Sequence, residues 1–207
     1  MIRVTRGPEP AVLTRSRDKW LAAVRVASTP ATRRAALSKY KHSEVRDALC
    51  VAFRGKCAYC ESTTEVATWG HIEHYRPKSA FPESAFDWEN LLWTCPQCNS
   101  GCKGDQFPEA ADGGPLVNPC AEEPGDHFVF DWDPVARLAN VDGATRRGET
   151  TVAVLQLNRP ALRQERSRQV ARIAALSHLA ADHPEAKRLV EEAKADDAPY
   201  AAFARQF

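Results

Sequence analysis

Residues 57–99 read CAYCESTTEVATWGHIEHYRPKSAFPESAFDWENLLWTCPQCN. Two cysteine pairs bracket this stretch, Cys57-Ala58-Tyr59-Cys60 and Cys95-Pro96-Gln97-Cys98. Two thiolates at that spacing reach one ion from a single tight turn. Two such turns complete a tetrahedral four-sulfur set that suits zinc. A zinc ribbon usually spaces its pairs by about 15–20 residues, whereas 34 residues separate these. The insert therefore houses something of its own. It contains Gly70-His71-Ile72-Glu73-His74-Tyr75-Arg76-Pro77-Lys78 and Trp88-Glu89-Asn90-Leu91-Leu92-Trp93, with Asn99 directly after Cys98.

Beyond this stretch, the chain of 207 residues is 43% hydrophobic and 27% charged, an ordinary globular balance that excludes disordered and collagen-like classes. No apolar run approaches the roughly 18 residues of a membrane span, so no membrane partner is expected. The opening MIRVTRGPEP carries no apolar leader core, and a cytoplasmic location is expected. Seven cysteines in a reducing compartment favour metal binding over a disulfide framework. Charge is uneven: residues 1–56 carry 13 Lys+Arg against 4 Asp+Glu, while residues 57–110 carry 3 against 8. A basic quarter beside an acidic middle suits a polyanion contact next to a cation site.

Periodicity organises the flanks. Residues 15–26 read as a helix with Trp20, Leu21 and Val24 on one stripe, joined by Leu13. Ser28-Thr29-Pro30 caps and opens a second. Val45, Leu49, Ala52 and Phe53 mark a third over residues 43–53, closed by Gly55. Residues 66–90 lose helical periodicity and predict short strands and loops. Farther on, a strand is expected over residues 127–132 and a turn at Asp142-Gly143. Residues 150–157 fit a strand or a buried helical turn. Helices are expected to start at Asn158-Arg159-Pro160, with a stripe through Leu162, Val170, Ile173 and Leu176, and at Asp182-His183-Pro184-Glu185. Three parts follow: basic helices over 1–56, a metal-braced core over 57–112, and a loop, strand and helical extension over 113–207.

The opening KCAYCE, then IEHYRPK, WENLLWTCPQCN and Lys103-Gly104-Asp105, resemble an HNH endonuclease, whose ββα-metal core is often braced by a four-cysteine zinc. HSEVRDALCVAFRGKCAYCE, PLVNPC with AEEPGDHFVFDW, and TVAVLQLNRPALRQERSR extend the resemblance over roughly residues 40–170. They are similar to the HNH proteins found with retrons and as the nuclease subunit of Septu-type anti-phage systems. The resemblance implies a mainly helical α+β fold around a ββα-metal core. It implies a structural zinc on Cys57, Cys60, Cys95 and Cys98, and a catalytic Mg²⁺ or Mn²⁺ on Glu73 and Asn99. His74 takes the place of the general base and Asn90 that of the middle asparagine. It further implies DNA as substrate and an ATPase of the ABC/SMC kind as partner. Asn99 and Lys103 have three residues between them where many HNH proteins have two, which bears on the role of Lys103.

The residue types suit that chemistry. Phosphodiester hydrolysis needs a water deprotonated near neutral pH, and imidazole titrates there. Charge growing on the phosphate wants a hard cation with few protein oxygens and several waters. On a flat strand Glu73 and His74 point to opposite faces, so a bend near residues 75–77 is expected. Asn90 either orients the His74 ring or pins the loop. Arg76, Lys78 and Lys103 are candidate phosphate contacts. His71 is a supporting residue or a surface one, and Cys50, Cys102 and Cys120 carry no metal assignment. Two other readings compete. His71-Ile72-Glu73 with Cys95-Pro96-Gln97-Cys98 imitates a zinc nucleobase deaminase, but Thr94 stands where Pro is required, and Cys57, Cys60 and His74 are left without a role. The other is a zinc-braced binding module without catalysis.

Overall fold

The N-terminal basic quarter folds as three helices because its apolar residues fall on one side. In the computed structural model, which describes residues 1–64 and 69–207, α1 spans Ala11–Val26 and buries Val12, Leu13 and Val24. It starts four residues earlier than its stripe predicts, since Pro10 takes the N-cap and Val12 extends the buried face. Helix α2, Pro30–Leu37, is capped by Thr29, one of the two cap residues that Ser28-Thr29 offers: Thr29 Oγ1 accepts from Thr32 N while Thr32 Oγ1 accepts from Thr29 N. After a short 3₁₀ turn at Ser38–Lys41, α3 runs Ser43–Ala52 and buries Val45 and Leu49. The chain then turns through Gly55 to Cys57, and Ala58 N donates to Trp93 O at 2.8 Å. That bond ties the first cysteine pair to the strand leading into the second.

The insert forms one antiparallel hairpin, β1 (His71–His74) against β2 (Leu91–Thr94), with Glu73 opposite Leu92 and His74 opposite Leu91. The expectation of strands and loops over residues 66–90 holds from residue 69 onward; residues 66–68 lie outside the described part. Gly70 enters the hairpin under the Trp93 ring, where a Cβ would come within 2.1 Å of the indole. No other residue fits there. The element after β2 is a seven-residue π-helix, Gln97–Lys103, in place of an α-helix. Gly104 N reaches back five residues to Asn99 O at 2.7 Å. The wide turn absorbs the extra residue between Asn99 and Lys103 and swings Lys103 inward.

In the C-terminal part, β3 (Phe128–Asp133) pairs with β4 (Leu138–Gly143). The reversal expected at Asp142-Gly143 lies instead at residues 134–137. Asp133 Oδ1 accepts from Val135 N and Ala136 N, and Arg137 takes the left-handed backbone. Gly143 stays in the ladder opposite Phe128. The ambiguous apolar segment is helical: α4 covers Arg146–Val154, capped by Thr145, whose Oγ1 accepts from Gly148 N. Helix α5, Pro160–Leu179, buries Leu162, Val170 and Ile173, with Leu176 half-buried. Helices α6 (Pro184–Lys194) and α7 (Ala201–Ala204) close the chain. One buried cluster joins residues from all three parts, including Leu13, Leu49, Tyr59, Leu92, Leu155, Val170 and Phe203. The fold is thus mainly helical α+β. No described helix is long and apolar enough to cross a membrane.

Candidate active site and metal centres

Cys57, Cys60, Cys95 and Cys98 converge so that all four sulfurs lie within 4.8 Å of one another. Cys60 and Cys95 Sγ are 3.9 Å apart, too far for a disulfide and close to the roughly 3.8 Å edge of a tetrahedron with Zn–S bonds of about 2.3 Å. The donor set fits zinc. Four thiolates around Zn²⁺ carry net negative charge, and Arg159 Nη2 donates to Cys98 Sγ at 3.5 Å, so the C-terminal part braces the cluster. Cys102 points elsewhere, 3.7 Å from the Gln97 amide nitrogen. Cys50 and Cys120 are half-buried and not in the cluster.

The hairpin carries His74 and Glu73 to a cavity of about 390 Å³. Its lining includes Glu73, His74, Asn99, His71 and Lys78 from the insert and the π-helix. Both Glu73 and His74 are buried despite their neighbouring positions. The strand ends at His74, and the bend beyond it lets both reach one cavity. Tyr75 N still donates to Asn90 O, and the side chain of Asn90 holds the bend. Asn90 Oδ1 accepts from Arg76 N at 2.7 Å, and Nδ2 donates to Arg76 O and Ser84 O, each at 3.0 Å. Of the two roles sequence allows, the geometry has Asn90 pinning the loop.

His74 is held by that same loop. A carbonyl only accepts, so the 3.0 Å contact between Nε2 and Ala85 O fixes the proton on Nε2. In the neutral ring Nδ1 then keeps its lone pair. Burial first, with the Lys78 and Lys103 charges adding to it, brings the His74 pKa down to about 4. The ring is therefore an unprotonated base at neutral pH. Tyr40 stands edge-on to it, centroids 4.4 Å apart at 86°.

Lys103 overturns one expectation. A phosphate contact needs an accessible ammonium, but this side chain is 0% exposed. Its Nζ donates to His74 O at 2.9 Å and lies 2.6 Å from Glu73 Oε1. The approach to Oε1 is a short ion pair between two buried groups. Burial pushes the Glu73 carboxyl up, and Lys103 pulls part of that shift back. A carboxylate and an amide, Glu73 and Asn99, lining one cavity fit a hydrated divalent ion that takes few protein ligands. Asn99 Nδ2 donates to Ile72 O at 3.4 Å.

Arg76 is exposed and leans over the Phe81 and Phe107 rings, 5.6 and 5.9 Å from their centroids, without lining the cavity. Lys78 does line it. Sequence reasoning missed the opposite wall, built by Tyr40, Lys41 and Arg46 of the N-terminal helices, and missed Asp105 on the rim. Only the excess of basic charge before residue 57 hinted at that wall.

Residues 57–104 match the family model for HNH endonucleases. The chain carries an HNH domain. Similarity extends beyond that domain. The chain is 30% identical over 199 residues to the Septu protein PtuB of Bacillus mycoides (strain KBAB4), covering 81% of this chain and 66% of that protein. It is 33% identical over 116 residues to the Septu protein PtuB of Bacillus thuringiensis, covering 55% and 41%. It is 31% identical over 137 residues to the Retron Vc95 putative HNH endonuclease of Vibrio cholerae serotype O1 biovar El Tor, covering 62% and 64%. The chain spans just under two thirds of the Bacillus mycoides relative and well under half of the Bacillus thuringiensis one. These relatives match the retron-associated and Septu-type group that the sequence resembles.

Proposed function

We propose that this chain is a divalent-metal-dependent endonuclease that hydrolyses DNA phosphodiester bonds as the nuclease component of an anti-phage system, in the prokaryotic cytoplasm. The observation that carries this reading is the neutral imidazole of His74, its Nε2 proton committed to Ala85 O and its lone pair available beside Glu73 and Asn99 in one cavity. In this reading His74 takes a proton from the attacking water at Nδ1. Glu73 and Asn99 would hold Mg²⁺ or Mn²⁺, which supplies positive charge opposite the phosphate and the leaving 3′ oxygen. Asn90 fixes the loop whose Ala85 carbonyl orients the ring. The four-cysteine zinc anchors both ends of the insert. The similarity to Septu proteins supports a further subunit, proposed to be an ATPase of the ABC/SMC kind.

Nicking of supercoiled plasmid by the zinc-loaded protein tests this. With added Mg²⁺ or Mn²⁺, wild type is expected to nick, and His74→Ala to lose about 10²–10⁴-fold in rate. Equal nicking by the two proteins would end the base assignment. No nicking by either, even with a co-purifying ATPase restored, would favour the non-catalytic binding module.

A further inference from the structure

Trp69 is 76% exposed, although burying an indole is worth a few kcal/mol. It is the one aromatic among the large exposed apolar side chains of the described residues. Trp69 directly precedes Gly70 and His71, which line the His74 cavity, and the Arg46 guanidinium lies 5.3 Å from its ring centroid. Arg46 lines the same cavity. The indole thus adjoins a residue of the cavity lining, and most of its surface is open.

A second observation concerns charge. Lys41 and Lys78 bring their ammonium groups to 5.9 and 5.4 Å from the centroid of a single ring, that of Tyr40. Among the described residues neither they nor Arg46 forms an ion pair. Of the two carboxylates on the lining, Glu73 is already paired with Lys103, which leaves Asp105 against three cations. Like charges gathered on one ring without a carboxylate partner are arranged for an anion supplied from outside.

We infer that the wall formed by residues 40–46 together with Trp69 and Lys78 is a nucleic-acid subsite. Lys41, Arg46 and Lys78 take phosphates on either side of the scissile one, and Trp69 stacks on a base freed from its neighbours. This rests on the nuclease reading and deepens it: the bound strand is unpaired or locally opened. Stacking on an exposed aromatic is tolerant of sequence, whereas a duplex keeps its bases out of reach.

The test uses the full zinc-loaded chain carrying His74→Ala, so that substrate survives, and reads anisotropy of an end-labelled dT20 and of a 20-base-pair duplex. Adding Trp69→Ala should weaken dT20 about tenfold or more, with Trp69→Phe restoring most of it, and leave the duplex nearly unchanged. Adding Lys41→Ala should weaken both ligands and lower the salt slope by about one. Unchanged dT20 affinity in Trp69→Ala, with the parent binding DNA, would overturn the stacking subsite alone. A parent that binds neither DNA would sink the nuclease reading with it. Zinc content and the circular dichroism spectrum, expected to match the parent because Trp69 is exposed, separate lost stacking from lost fold.

Discussion

Two sites share the HNH insert, and they are built in opposite ways. The cysteine cluster is closed: four identical donors from two short turns converge within 4.8 Å, and a guanidinium covers one sulfur. The cavity around His74 is open, about 390 Å³, and brings the Glu73 carboxylate and His74 imidazole of β1 together with the Asn99 amide of the π-helix. A structural ion wants every position filled by protein, while a reactive centre must leave room for water and substrate. The first site holds the hairpin and the π-helix together; the second uses the position that this gives to His74, Glu73 and Asn99.

Under that division, substitutions at the closed site should cost fold and those at the open site should cost rate. The largest effect is expected for Cys57→Ser. Structural zinc in small sites supplies about 10 kcal/mol or more of folding free energy, so the variant should release zinc and lose its cooperative melting transition. Retained zinc and an unchanged Tm would break the comparison at its stronger end. Asn90→Ala falls between the two. It strands Arg76 N and the Arg76 and Ser84 carbonyls, at about 3 kcal/mol. Urea unfolding should show this cost while zinc content is kept.

The smallest effect is a pH slope. The folded His74 pKa of about 4 lies below the unfolded value near 6.5, because burial disfavours the charged ring. Between those values the unfolded chain binds the proton and the folded chain does not, so stability rises with pH across the window. The wild type should therefore be at full stability above pH 6.5 and lose about 2 kcal/mol by pH 5 from this group. His74→Asn should lack that part of the slope in parallel urea titrations. Identical slopes would mean that the ring is not held neutral.

What could be read in the sequence divides along the same line. The cysteine pairs are local patterns, so their convergence follows from spacing alone, as do the Thr29 cap and the stripes of α1 and α3. The β1–β2 hairpin with its neighbouring Glu73 and His74 was also within reach. The open site was less so, because its second wall comes from residues 40–46, and no periodicity links that helix to a strand some thirty residues on. Lys103 shows the same limit. A lysine after a zinc knuckle looks like a surface cation, and only the π-helical turn, which places one more residue in the coil, drives it into the core against Glu73. The hairpin reversal at residues 134–137 was hidden because Asp133 creates it through side-chain bonds, while Asp142-Gly143 carries the commoner turn pair.

Anomalous diffraction from crystals of the zinc-loaded protein soaked in Mn²⁺ puts the two-site account to its most direct test. It should give a zinc peak amid the four cysteine sulfurs and a separate manganese peak touching Glu73 and Asn99, with His74 Nδ1 facing the same space. Manganese absent from that cavity at saturating concentration, with the Lys103 ammonium still against Glu73, would contradict it.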